Sequence, residues 1–280
     1  MSSSERGQVV NLPHIVVAAT AVLLGVCYAR VLGGMFDQWW HDEDMSHGVV
    51  VPIVILWIVW KERNRWLALP ARPSWWGFAI LAAAAGAHLV SVMGGGLFAG
   101  SVAFVLSVAG AVVCLGGFAF LRTWTFPFLL ALFMLPKLAI VYNQVTLPLQ
   151  LLASRLAEVM LLAGGASVTR EGNIISAGGH RIAVAEACNG IRYVLSLGFV
   201  AVVFAYLSDA KPWMRVALLA AAVPVAILAN AMRVAASASV PALDAGTPHA
   251  LAGWLVFVMC LAMLIIVRRL LNSAYARYHA

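Results

Sequence analysis

Read only as hydrophobic and polar positions, the chain is a string of apolar runs, each near the ~20 residues that a bilayer-crossing helix needs. Eight runs stand out, roughly 14–36, 48–61, 74–93, 98–119, 123–141, 189–207, 214–236 and 249–267. The second is short and extends outward through Ser46 and His47. The runs do not alternate in polarity and are punctuated by Gly and Pro, which favours helices over barrel strands. One stretch, 142–188, departs from the pattern. In "YNQVTLPLQLLASRLAEVMLLAGG", Leu147, Leu151, Leu152, Ala153, Leu156 and Met160 recur near helical spacing, with Arg155 and Glu158 one turn apart. This predicts an amphipathic helix lying on or re-entering the membrane, stopped at Gly164-Gly165. The following "SVTREGNIISAGGHRIAVA" combines β-branched residues with Glu-Gly and Gly-Gly turns and predicts a small β-hairpin. The expected fold is an all-α polytopic membrane protein of about eight transmembrane helices. A single integral membrane domain covers 1–280, and 142–188 is an outer-face insertion. No internal repeat or soluble second domain is visible.

Composition agrees with this reading. The 280 residues are 63% hydrophobic and 10% charged, with a mean hydropathy of +0.94. A soluble domain is nearer a quarter charged, and no soluble core hides this much apolar surface. The net charge of +7 would suggest nucleic acid in a soluble protein. Here the basic residues sit in short loops and act as topology signals, so no nucleic-acid partner is expected. With the N-terminus in the cytoplasm, the cytoplasmic segments hold Arg6, Lys61, Arg63, Arg65, Arg72, Arg122, Lys211, Arg215, Arg268, Arg269 and Arg277. The short opposite loops 37–47, 94–97 and 237–248 hold no Lys or Arg. Both termini are therefore expected inside. The first apolar run lacks a small-residue cleavage site and reads as a retained helix.

Projected onto this topology, three reactive side chains from three helices fall at one outer depth. Cys188 precedes the sixth run, Arg233 lies about one turn before the outer end of the seventh, and His249 opens the eighth. A helix start favours thiolate over thiol, and Arg192, one turn on, adds positive charge. Cys27, Cys114 and Cys260 lie inside apolar runs and read as packing residues. An arginine within a span is costly unless paired or functional, and its planar donors suit an oxyanion. Asn230, one turn before Arg233, is placed to orient it. The bland alternatives are an Arg233 that snorkels to headgroups and an interfacial His249 without a partner. Histidine can move protons near neutrality. A second polar cluster, "FDQWWHDEDMSHGVVVP" at 36–52, carries Asp37, Asp42, Glu43 and Asp44 beside His41 and His47. It reads either as a solvated, orientation-setting loop or as a substrate-contacting one. Two histidines with no second ligand group do not make a metal site, and neither metal nor cofactor is expected.

"EACNGIR" at 186–192, "NAMR" at 230–233 and His249 resemble, in order, the motifs of the exosortase/archaeosortase family: an Ala-Cys-Ser/Asn-Gly stretch, Asn-x-x-Arg, then a late lone His. "DEDMSHGVVVPIVILWIVW" is similar to that family's early Ser-His-Gly segment, and "FPFLLALFMLPKLAIVYNQVTLPLQ" to its central Phe-Pro…Met-x-Pro stretch. The resemblance covers about 37–255. It implies a membrane-embedded cysteine protease or transpeptidase of a bacterial inner membrane, with its active site on the periplasmic side. Its substrates would be exported proteins bearing a C-terminal Pro-Glu-Pro-type signal, a transmembrane helix and a basic tail. Cys188 would be the nucleophile, Arg233 and His249 its partners. Glu186, Asn189, Arg192, Asn230, Asp44 and His47 would bind substrate or support the site. Asn189, often serine in the family, and Lys137, where a small residue or Pro is expected, are departures. Two readings compete: a small-solute transporter or channel, whose signature would be polar groups near mid-membrane in two related halves, and a scaffold, in which Cys188 would be indifferent to alkylation.

Overall fold

The computed structural model describes residues 14–184, 191–208, 211–243 and 246–278. They form two compact units that divide between Leu138 and Ala139.

In the first unit, the first apolar run becomes two helices, α1 (His14–Cys27) and α2 (Ala29–His41), bent by 70°. The break is at Tyr28, whose φ of −102° and ψ of 11° lie off the helix. Its hydroxyl meets the Ser107 hydroxyl at 2.8 Å, and its ring packs on His88 and Phe104. The bend is thus built around a polar side chain that is satisfied inside an apolar unit. A 3-10 turn, Glu43–Val49, leads into α3 (Val50–Lys61) and the short α4 (Arg63–Leu67). Next come α5 (Trp76–Val90), a π turn at Ser91–Gly95 and α6 (Gly96–Leu115). Gly94 has a φ of 121°, a conformation essentially closed to side-chain-bearing residues, and there the chain folds back. The Ser74 N–H donates to the Val113 carbonyl (3.2 Å) and the Arg72 N–H to the Gly116 carbonyl (3.1 Å), tying the start of α5 to the end of α6. Small residues permit the approach: at Gly77 a Cβ would run into the Gly110 carbonyl and Cys114.

The run at 123–141 is not a continuous helix. It is divided among α7 (Phe118–Thr123), α8 (Thr125–Ala131) and a 3-10 turn, Leu132–Met134. Pro127 has no N–H to offer the Thr123 carbonyl, so the helix restarts. Pro136 excludes the helical conformation at the residue before it, and Leu135 is extended (φ −67°, ψ 138°). Against the eight spans that the pattern predicts, the described residues contain five helical stretches long and apolar enough to cross a membrane. There are six when the bent α1–α2 pair counts as one. One of the five, Trp76–Leu115, is the folded-back α5–α6 pair.

The second unit begins with α9 (Ala139–Ala163), which is the helix expected to lie on the outer face. It is 25 residues long and apolar enough to cross by length and composition, and its two sides differ in polarity. Thr146, Gln150, Ala153, Ser154, Ala157 and Leu161 are buried, while Leu147, Leu151, Leu152, Val159 and Leu162 are exposed. A small, polar seam toward protein with leucines outward is the pattern of a helix packed in lipid. Glu158 pairs with Arg170 (2.7 Å) and not with Arg155.

The expected hairpin is a three-stranded antiparallel sheet, ordered β1 (Val168–Glu171), β2 (Ile174–Ala177), β3 (His180–Ala183). The pairs Glu171↔Ile174 and Ala177↔His180 leave two-residue loops. In the second loop Gly178 and Gly179 both have positive φ, as the tight turns that match strand twist require. Two turn signals close together make three strands. Ile175, Ala177, Ile182 and Val184 pack with Ala153, Ala157 and Leu161 of α9. The chain continues through α10 (Ile191–Leu207), α11 (Pro212–Ser239), a 3-10 turn at Pro241–Leu243 and α12 (Gly246–Tyr278).

Candidate functional site

The second unit is assembled on α11. Its buried positions include Leu218, Ala222, Val225, Ala226, Ala229, Asn230, Arg233, Val234, Ser237 and Ala238, spaced three and four apart along one side. Most are small, which lets neighbouring helices approach closely. An apolar ladder joins Leu197 and Ala201 of α10, Ala222, Ala226 and Ala229 of α11, and Val256, Cys260 and Leu264 of α12. Cys260 is a buried packing residue in it. Cys27 is exposed on α1, and Cys114 is half-buried at the α5–α6 contact.

The ladder ends in a polar layer. Asn230 is 1% exposed and Arg233 4% exposed, so the arginine is inside the unit and does not snorkel outward. Its guanidinium carbon lies 5.6 Å from the centre of the Tyr193 ring, within the range of a cation–π contact. On the opposite helix, a Cβ built at Gly253 would stand 3.2 Å from Tyr193 Oη and 3.6 Å from Arg233 Nη2. Three elements therefore meet at this guanidinium: the start of α10, the later part of α11 and the first turns of α12. The Ser237 hydroxyl, one turn beyond Arg233, donates to the Leu243 carbonyl (3.2 Å) and ties α11 to the turn before α12.

The sequence-predicted residues distribute as follows. Arg233 and Asn230 stand together, and Arg192 is half-buried in the first turn of α10. His249 is in the first turn of α12, four residues before Gly253; its side chain lies outside the described residues. Cys188, Glu186 and Asn189 also lie outside them. Val184 before this stretch and Tyr193 after it sit in clusters that each include residues of α11. Val184 packs in the same cluster as Val234, next to Arg233, and Tyr193 carries the guanidinium itself. Tyr193 and Gly253 were not anticipated. The available signal was spacing: Tyr193 follows Cys188 by five positions, and Gly253 follows His249 by one helical turn.

Asp44 and His47 are in the first unit, and both are buried. The acidic segment is thus divided: Asp44 and His47 are inside, while Asp37, His41 and Glu43 are exposed, as in a solvated loop. Lys137 Nζ lies 2.6 Å from Asp42 Oδ2 and 3.2 Å from Asp44 Oδ2. Burial alone would depress the Lys137 pKa, but the hydrogen bonds and charges of Asp42 and Asp44 outweigh it and leave the pKa raised. His47 Nε2 is 3.1 Å from the Phe133 carbonyl, and the Trp39 indole N–H donates to the Met134 carbonyl (3.0 Å). Gly48 lies against that indole with no room for a Cβ. Residues 133–137 are thus clamped to residues 39–48 at four points. His41 pairs instead with Asp37 on exposed α2, at 3.0 Å, so the two histidines do not converge. Among the described residues, no group of three His, Cys, Asp or Glu side chains is placed to hold a metal ion.

No curated protein and no solved structure is significantly similar to this chain. A family profile described as transmembrane exosortase does match, over residues 39–266. That stretch begins at the tryptophan which clamps the acidic turn, ends in the last helix and takes in every site residue named above. The chain belongs to the transmembrane exosortase family.

Proposed function

We propose that this protein is a membrane cysteine protease or transpeptidase that removes C-terminal sorting signals from exported proteins. Family membership supports the reaction class. The observation that carries the residue assignment is the buried Arg233, met by the elements that lead to Cys188 on one side and His249 on the other. The substrate's own transmembrane helix docks among the spans in surrounding lipid, with its signal motif at the outer interface. The Cys188 thiolate attacks the scissile carbonyl carbon. Arg233 stabilises the oxyanion with its planar donors. The tetrahedral adduct collapses to a thioester as the C–N bond breaks, and His249 gives a proton to the leaving amine. Water or an acceptor amine then attacks the thioester with His249 as base, and the thiolate is restored. No cofactor takes part.

Glu186, Asn189, Arg192 and Asn230 support this centre. The part taken by Asp44 and His47 lies within the first unit, where they fix the fold of the acidic turn. The distribution of Lys and Arg supports a multi-pass protein with both termini cytoplasmic and the site on the opposite side, and family membership suggests that the membrane is a bacterial inner membrane, which makes that side periplasmic.

The test is Cys188→Ala, followed with a tagged substrate carrying a sorting signal, together with capture of a covalent adduct between the wild-type thiol and an electrophilic signal peptide. Loss of cleavage and a Cys188-dependent adduct are expected. Cleavage at the normal rate without the thiol rules the mechanism out.

A further inference from the structure

We infer that Tyr193 and Gly253 are positioning residues for Arg233: the face of the phenol and the bare backbone of the glycine form a slot that sets where the guanidinium stands. The inference rests on the role proposed for Arg233 and identifies what delivers it.

The guanidinium cannot be placed by its own helix alone. Arginine has a long flexible stem, and in a buried site its head goes where neighbours leave room and charge is favoured. Tyr193 supplies the attraction. Its ring is 4% exposed, is held in the apolar ladder with Leu197 and Val256, and presents its π face to the guanidinium carbon at 5.6 Å. Gly253 supplies the room. A Cβ there would lie 3.2 Å from Tyr193 Oη, 3.6 Å from Arg233 Nη2 and 3.8 Å from Arg233 Cζ. The first distance is tighter than ordinary van der Waals contact, so the phenol must give by a few tenths of an ångström, while the added methyl would sit in ordinary contact with the guanidinium that rests on that phenol. Glycine is otherwise a poor choice in a helix interior, where alanine is favoured. At this position the missing side chain brings the α12 backbone against both groups, one turn from His249.

The experiment compares Tyr193→Phe, Tyr193→Leu and Gly253→Ala in the purified full chain, with steady-state cleavage of a signal-bearing peptide. The rate of thiol alkylation by a maleimide and the melting temperature are followed alongside. Misplacing a catalytic group by about 1 Å can cost about 100-fold in rate. Tyr193→Leu should therefore lose about 10- to 100-fold in kcat, and Gly253→Ala, which displaces the phenol by only tenths of an ångström, about 3- to 10-fold, both with KM within about twofold. Alkylation rate and melting temperature should stay near wild type. Tyr193→Phe keeps the π face and should restore kcat to within about threefold of wild type. Wild-type kcat in Tyr193→Leu or in Gly253→Ala overturns the inference. So does Tyr193→Phe as impaired as Tyr193→Leu, or a loss confined to KM. If Tyr193→Leu does not fold, Gly253→Ala and Tyr193→Phe decide by the same criteria. Cleavage that persists in Cys188→Ala, or a wild-type chain that does not cleave the peptide, overturns the function itself. Wild-type kcat in the slot variants of a Cys188-dependent enzyme overturns the slot alone.

Discussion

Replacing Lys137 by Met tests whether the clamp in the first unit depends on charge. Lys137 is a fifth exposed, and the carboxylates it meets at 2.6 and 3.2 Å belong to side chains 25% and 9% exposed. Methionine fills much of the same volume but leaves two carboxylates facing each other with their counter-ion gone. Breaking a fully buried pair costs about 3–5 kcal/mol. Partial exposure here reduces that to about 2–3 kcal/mol. At about 3 °C per kcal/mol for a chain of this size, the melting temperature should fall by about 6–9 °C. The measurement is thermal unfolding of the full chain in detergent, beside the triple variant K137M/D42N/D44N. That variant removes the charges together and should recover more than half the loss, with a coupling of about 1–2 kcal/mol between the sites. The pH dependence follows from the raised Lys137 pKa. Its stabilisation is complete below the unfolded value of 10.5 and is lost as pH rises through the higher folded value. The gap between wild type and K137M should therefore be flat from about pH 7 to 9 and close only above about 10.5. A K137M protein that melts within about 1 °C of wild type, or a triple variant that melts as low as K137M, would refute the electrostatic account.

Two further outcomes are expected. Arg233→Lys keeps the charge but loses the planar fork and its stacking on Tyr193. Its kcat on a signal-bearing peptide should fall by about 100-fold or more, and an activity near wild type would remove the oxyanion role. Gly77→Val inserts a branched side chain where a Cβ already meets the Gly110 carbonyl. It should lower the melting temperature by an amount equivalent to about 1–3 kcal/mol, whereas Gly86→Val, in open space on the same helix, should not.

What could be read of the candidate site in the sequence is the part whose chemistry is local or exceptional. An arginine in an apolar run announces itself, and "AGGH" announces a tight turn. What resisted reading was set by partners distant in sequence or by the solvent outside. Pro127 and Pro136 were visible in the run at 123–141, but average hydropathy does not register a missing N–H. The spacing of Leu147, Leu151 and Leu152 gives a periodic helix without saying which side meets protein. In lipid the apolar side turns outward, whether the helix crosses the bilayer or lies on it. Lys137 looked like a departure until its partners, 93 and 95 positions earlier, stood beside it. Tyr193 and Gly253 carry no signature of their own. Their roles exist only where three helices meet.

The seam on α9 has a consequence for how the protein is made. It is less apolar than α12, and its buried Gln150 and Ser154 are met by the loop between β1 and β2. The Ser154 hydroxyl reaches the Gly172 carbonyl at 3.1 Å, and Gln150 receives a hydrogen bond from Asn173. When α9 leaves the ribosome, neither the strands nor α11 has yet been synthesised. Its polar seam is therefore completed only when those later segments arrive. The packing of this half of the molecule is thus closed jointly by several segments and not helix by helix.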